Sequence, residues 1–508
     1  MKLRGIIALT LLAALMLTAL AACGGEAGKG SGSGAGEGAG AGADAANTAD
    51  TTAETTAAET TDPYAADGLP DTDWQGADYT IILRELTKYE FVAEEENGEA
   101  LNDAIFERNR HAEERFNIKI GLVTKGGWAS ATSEMLSTFR ASILAGESTY
   151  DLGLGYQAFV VEDAMAGLFH NAYEVPYLDL SKPWWCQQAV EILTLDNCCY
   201  MLTGDISHTV WRGMYVLFFN KKLAEDHKIG SLYEKVSAGD WLFDDFVSIS
   251  KSISADLNGD GEYTDADLYG WLTCLANHIR QFMVSLDTPI TTPDKDGYPV
   301  LTFNNSKSVD VLERVNALYW DQSTYISKEL QEPAADAISP VFTGDRALFM
   351  SAFLGNAELL RDMDTDFGII PYPKYDEAQA DYYTGTHNSV STVLIPVTVA
   401  DVERAGMITE ALCFDGYKTI VPAYYEVVLK TKFARDEESE AMLDIIRGGL
   451  SFNFGWVHSI PMSSVGAFYS DLVAKNSTDF ASYYASYEPK LLTALERITA
   501  KYKEVSGK

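Results

Sequence analysis

Basic residues are few in this sequence. It carries 38 Lys and Arg against 74 Asp and Glu over 508 residues, a formal net charge of −36 at pH 7. Phosphate recognition needs clustered Lys and Arg, so nucleic acid is excluded as a partner class. Charge-driven docking to an anionic lipid surface is excluded on the same ground. Cysteine is also scarce: Cys23, Cys186, Cys198, Cys199, Cys274 and Cys413. None falls in the paired C-x-x-C spacing of a zinc site. The last five read as small core residues, with a disulfide inside 186–199 as the alternative. P-loop, H-E-x-x-H and G-x-S-x-G motifs are missing too, which removes the common nucleotide-dependent, zinc-protease and serine-hydrolase chemistries. The apolar run Ile6 to Leu20 is short for a membrane helix of roughly 20 residues.

What is present at the amino terminus is a sorting pattern. Lys2 and Arg4 precede the apolar run, and Leu20-Ala21-Ala22-Cys23 closes it ahead of Gly24-Gly25. This resembles the bacterial lipoprotein signal with its L-A-A-C lipobox. The resemblance implies a signal peptide over 1–22, lipidation (palmitate) of Cys23, and residence on the extracellular face of the cell membrane. An ordinary signal peptide beside an accidental cysteine is the alternative. Residues 23–71 are rich in Gly, Ala, Ser, Thr and acids and nearly devoid of large apolar side chains. Such a segment buries too little surface to offset ordering entropy and reads as a flexible tether.

Beyond it the chain is suited to a large core, with 47% hydrophobic and 11% aromatic residues overall. Strand candidates at Tyr79–Leu83, Ile118–Val123 and Asp151–Gly155 alternate with helix candidates at Asn102–Phe116 and Ala131–Ala145. That alternation predicts βαβ units and a mainly parallel sheet. In such sheets ligands sit beyond the carboxyl ends of strands, which marks Glu85–Tyr89, Lys125–Trp128 and Tyr156-Gln157 as cleft loops. Further on, Val216–Phe219 is a strand, Asn220 caps a short helix, and Leu242, Phe246, Ile249 and Ile253 share one helix face. The last helix is expected over Lys490–Tyr502.

The order of these pieces carries a resemblance. A strand running into FFNKKL, an aromatic helix opening in DWLFDDF, an NGDG loop and a closing Tyr269-Gly270 stand in sequence. MLTGDIS (201–207), FTGDRALFM (342–350), DFGIIPYPKY (366–375) and THNSVSTVLIPV (386–397) follow the same plan. Together they are similar to bacterial extracellular solute-binding proteins of the sugar-type ABC importers. The resemblance implies an α/β, two-lobed periplasmic-binding-protein-like fold (type II) with a central cleft. It places 72–207 and 340–380 in the first lobe and 208–339 and 381–508 in the second. It implies a monomeric, non-enzymatic binder that captures a small polar solute, an oligosaccharide first among the candidates, and delivers it to ABC permease subunits. A secreted glycoside hydrolase, a peptide-binding lipoprotein and a purely structural surface lipoprotein are the alternatives.

Aromatic stacking on sugar CH faces plus hydrogen bonds to hydroxyls would hold such a ligand. The expected aromatics are Trp456, Tyr156 and Trp184, although the Trp184-Trp185 pair reads equally as buried core. The expected polar contacts are Glu85, Gln157, Asn277 and Arg280; His278 reads as a ligand group or a satisfied buried histidine. Asp256, Asn258, Asp260, Glu262 and Asp267 fall at EF-hand spacing around Gly261, which fits a structural Ca²⁺ or a solvated acidic turn.

Overall fold

The computed structural model describes residues 64–505, apart from 128–129, 131, 276, 328–329, 331–337 and 430–436. Cys23 and most of the expected tether lie outside the described residues. In chain order the strands are β1 Ala77–Arg84, β2 Ile118–Lys125, β3 Leu152–Tyr156, β4 Tyr215–Asn220, β5 Tyr269–Thr273, β6 Thr291–Pro293, β7 Pro299–Leu301, β8 Thr324–Ile326, β9 Ala347–Phe353, β10 Phe367–Ile370 and β11 Ser391–Leu394. They form a four-stranded sheet ordered β11-β3-β1-β2, a five-stranded sheet ordered β10-β4-β9-β5-β8, and the β6-β7 hairpin.

The first sheet is built as the alternation predicts. β1 runs parallel to both β2 and β3, and parallel neighbours need crossovers. The helices Ala100–Phe116 and Glu134–Leu144 supply them. A strand covered on both faces reads as a continuous apolar run, and Ile81, Ile82 and Leu83 are all fully buried.

The second sheet owes its packing to the aromatic opening of helix Phe243–Ile253. Phe246 meets Trp271 edge-on at 5.4 Å and Phe349 at 5.3 Å. Trp271 also meets Tyr319 at 4.8 Å and donates its indole N–H to Ser351 Oγ at 2.9 Å. Such pairs add about 0.5–1.5 kcal/mol each beyond area burial. The helix lies so close to β5 that a Cβ on Gly270 would sit 1.9 Å from the Ser250 carbonyl oxygen, which is why a glycine stands inside this strand.

Asn220 caps helix Lys221–Asp226 as expected: its Oδ1 accepts from the Leu223 N–H at 2.9 Å. Its Nδ2 donates to Asp345 Oδ1 at 2.6 Å, joining the cap to the turn before β9. Asn220→Ala is expected to cost about 1–2 kcal/mol, read as a lower urea midpoint; an unchanged midpoint would show that the cap does not contribute.

Four expectations about the chain's layout are corrected. Residues 340–380 do not join the first sheet. β9 inserts between β4 and β5, and β10 pairs antiparallel with β4, so both belong to the second. Conversely, 381–508 is shared. β11 pairs antiparallel with β3 in the first sheet, and helix Val402–Asp415 packs on helix Ala100–Phe116, with Thr409 Oγ1 2.8 Å from Tyr79 Oη. Helix Glu437–Gly448 packs on the second lobe, against β10. The end of the expected tether is part of the body: Arg115 pairs with Asp67 and Asp71 and donates to the Leu69 carbonyl at 3.0 Å. Two ion pairs and the Tyr64 ring against Trp184 hold what composition alone marks as linker. Finally, the last helix spans Phe480–Val505 and passes through Pro489. Its buried residues Phe480, Tyr484, Leu491, Leu495 and Ile498 lie on both sides of that proline, and their packing outweighs a local penalty of about 3 kcal/mol.

Candidate functional site

β3 ends at Tyr156, and the chain turns at once into helix Gln157–Met165. Helix Asn277–Ser285 follows β5 from the other sheet. Between them runs 383–390, the return from the second sheet to the first. Its Gly385 carbonyl accepts from Tyr215 N–H at 3.0 Å, and its Val390 carbonyl accepts from Gln157 N–H at 3.2 Å. Helix Phe454–Val457 closes the ring of elements. The Asn453 side chain caps it by accepting from Trp456 N–H at 3.3 Å and donates to the Thr291 carbonyl at 2.7 Å.

Two adjoining cavities lie where these elements meet, of about 260 and 230 Å³. Arg280 and Trp456 line both. Together they reach the lower end of small-ligand pockets, roughly 300–1,000 Å³. Gln157, Tyr215, Gln281 and Thr386 add polar groups to the larger cavity, and Met283, Val284, Pro289 and Ile290 form its apolar wall. Tyr156, Phe159, His387 and Asn388 line the smaller.

Trp456 is half-buried. The Arg280 guanidinium lies 5.7 Å from the centre of its ring. A Cβ on Gly466 would sit 2.7 Å from the same indole, so a glycine is needed for the ring to come this close to the backbone. Tyr156 is nearly buried and donates its hydroxyl to Asn388 Oδ1 at 3.0 Å. Burial pushes that hydroxyl up to about 12. His387 is held by Ser389, its Nδ1 2.7 Å from the hydroxyl. Burial first, then the positive charges of Arg280 and Arg84, push the imidazole down to about 3, so it is neutral at pH 7.

Buried polar atoms are normally paired. Here Gln157 Nε2, Tyr215 Oη and Arg280 Nε are buried and have no hydrogen-bond partner among the described residues. All three belong to the lining of the larger cavity.

Of the residues singled out from sequence, Tyr156, Gln157, Arg280 and Trp456 are thus brought together. Asn277 opens the same helix as Arg280, but its side chain lies outside the described residues. Trp184 is not a platform. It is 1% exposed, and its indole N–H donates to Glu410 at 2.8 Å, as that of Trp185 does at 2.9 Å. A buried carboxylate that needs two donors accounts for the pair. Glu85 is elsewhere as well: the turn after β1 carries it outward to Lys88 at 2.6 Å, along a groove with Phe91 and Thr124. His278 is 2% exposed and lies 3.3 Å from Thr273 Oγ1, a satisfied core histidine.

The acidic loop is closed on itself. Asp256 accepts from the N–H groups of Gly259 and Gly261 at 2.6 and 2.8 Å, and Asp260 from that of Glu262 at 2.7 Å. Asn258 accepts from Asp260, and Asp267 from Leu257 and Thr264. Among the described residues no group of three His, Cys, Asp or Glu side chains stands together as a metal site.

Residues not singled out from sequence include Tyr215, Gln281, His387 and Asn388. The signal for the last two was the expected crossing at 386–397: a segment passing between two sheets lines whatever lies between them.

No family model matches the chain, and no curated protein is similar to it. Solved structures are. The maltose/maltodextrin-binding domain from Bdellovibrio bacteriovorus, bound to maltotriose, is 14% identical, with a TM-score of 0.51 over 85% of this chain and 100% of that one. The galacto-N-biose/lacto-N-biose I-binding protein of an ABC transporter from Bifidobacterium longum is 13% identical, with a TM-score of 0.52 over 84% and 98%. A sugar transporter from Rhizobium etli in an open conformation is 12% identical, with a TM-score of 0.54 over 84% and 99%. The chain therefore has the two-lobed α/β fold of the periplasmic binding proteins.

Proposed function

We propose that this protein is the solute-binding component of an ABC importer and captures an oligosaccharide between its two lobes. The observation that carries this is the pair of cavities at the lobe junction, where a half-buried tryptophan adjoins buried polar groups left unpaired among the described residues. Indole faces receive sugar CH groups and the free donors receive hydroxyls. Structures of the same fold bound to maltotriose and lacto-N-biose support the ligand class. Lobes of this kind close over ligand by hinge motion, and the closed body is what a permease would receive.

Capture rather than turnover is also favoured by the acids present. Glycoside hydrolysis draws on two carboxylates flanking the bond. The described lining offers one, Asp287, and it is ion-paired to Lys307 at 3.2 Å.

Anchoring at the outer face of the membrane through a lipid on Cys23 is part of the same reading and is supported by Leu20-Ala21-Ala22-Cys23. Labelled fatty acid is expected to enter the protein in bacterial cells and not its Cys23→Ala variant; equal labelling would overturn the anchor.

The test of capture is a thermal-shift screen of the full chain against oligosaccharides and peptides. A ligand that binds only the folded state stabilises it by mass action, by about 2.7 kcal/mol at a hundredfold excess over Kd. A shift with one sugar class and none with peptides is expected. Shifts with peptides alone would overturn the sugar reading.

A further inference from the structure

We propose that the captured oligosaccharide is acidic, carrying a carboxylate or a sulfate ester that sits on Arg280. This rests on the sugar-capture reading above and narrows it.

The chain is strongly acidic, with 74 acids to 38 bases, yet the cavities reverse that balance. Arg280 is the one Lys or Arg among their described lining residues, and Asp287 the one carboxylate. Asp287 is half-exposed and already ion-paired to Lys307. Arg280 makes no ion pair among the described residues and packs instead on the Trp456 ring. Its Nε is buried without an acceptor.

The contrast with a neighbouring arginine is informative. Arg84 is 4% exposed and lies 5.1 Å over the Tyr156 ring. It donates to the Ser389 carbonyl and Ser391 Oγ at 2.7 and 3.0 Å, and Ser391 in turn donates to Glu90 at 2.7 Å. Protein acceptors thus hold the Arg84 Nη2, although its Nε is buried without a partner just as that of Arg280 is. Among the described residues Arg280 makes no hydrogen bond or ion pair at all.

A guanidinium cannot shed its proton, so an unbalanced one in a cavity is relieved only by an anion or by water. Its fork matches carboxylate and sulfate oxygens in pairs. Gln157 Nε2 and Tyr215 Oη line the same cavity and hold free donors for the same oxygens.

The experiment is titration calorimetry of the full chain with matched pairs of oligosaccharides on several backbones: galactan with galacturonan, mannan with mannuronan, and neutral with sulfated galactan fragments. The acidic member of the recognised pair is expected to bind roughly 10- to 100-fold tighter, with an advantage that shrinks as salt rises. Arg280→Gln should abolish the advantage, so that the acidic and neutral members of the pair bind alike, and Arg280→Lys should keep part of it. Whether the uronate or the sulfate is preferred identifies the anion. Equal affinity within pairs would overturn the assignment and leave sugar capture standing. A preference that survives Arg280→Gln would overturn the role of Arg280. Binding of neither neutral nor acidic sugars would overturn this inference and the sugar reading together.

Discussion

Trp456→Ala is expected to weaken oligosaccharide binding by roughly 10- to 100-fold while the ligand-free protein melts close to the parent. The tryptophan lines both cavities, is only half-buried, and stands on a helix whose cap is made by Asn453 and not by the ring. Removing the indole therefore takes away the stacking face without breaking the elements that carry it. It also releases Arg280, whose guanidinium rests on that ring, so part of the loss is a looser cation. Trp456→Phe separates the two contributions: it restores a flat face of smaller area, and recovery of about half the lost free energy is expected. Calorimetry on both variants decides the matter. Unchanged affinity in Trp456→Ala would remove this face from the binding surface and shift attention to the Tyr156–Phe159 pair in the smaller cavity.

The residues that define this site differ in how far sequence reveals them. Tyr156 and Gln157 follow a strand in a βαβ pattern, and topology alone places strand ends at a cleft. Arg280 and Trp456 carry no such local signal; they came from the order of segments along the whole chain. Trp184 and Trp185 misled because an indole suits a sugar face and a core equally well. Their common partner Glu410 lies more than two hundred positions away, and nothing near either end announces it. Glu85 sits just past a strand end, as a cleft residue should, but the turn from Glu85 to Glu90 carries it outward. The resemblance places the segment 342–350 in the first lobe, but its strand 347–353 lies in the second sheet; an apolar segment does not say which of two sheets buries it.

Glu410→Gln is expected to change how stability depends on pH. Burial holds the Glu410 carboxyl at about 7, outweighing the two indole donors that favour its anion. The folded state therefore binds more protons than the unfolded state between the ordinary carboxyl range near 4.5 and about 7. Stability from this group is fully present below about pH 4.5 and is lost as pH rises through 7, on the order of 3 kcal/mol in all. Asp205, buried and bonded by Trp211 at 3.0 Å, is pushed to about 7 by burial and acts in the same direction. The histidines oppose both. Burial lowers His208 and His387 to about 3 and His458 to about 4, so their contribution is full above about 6.5 and is lost as pH falls. The parent curve is a near-cancellation, and only a difference isolates Glu410. In the variant, one indole N–H faces an amide donor, which costs about 1–3 kcal/mol at every pH. The gap between parent and variant, from urea denaturation, should be widest at pH 5 and narrow by about 3 kcal/mol at pH 8. A gap that stays constant across that window would show that the carboxyl is ionised throughout, and that the two indoles together with water reaching Glu410 offset its burial.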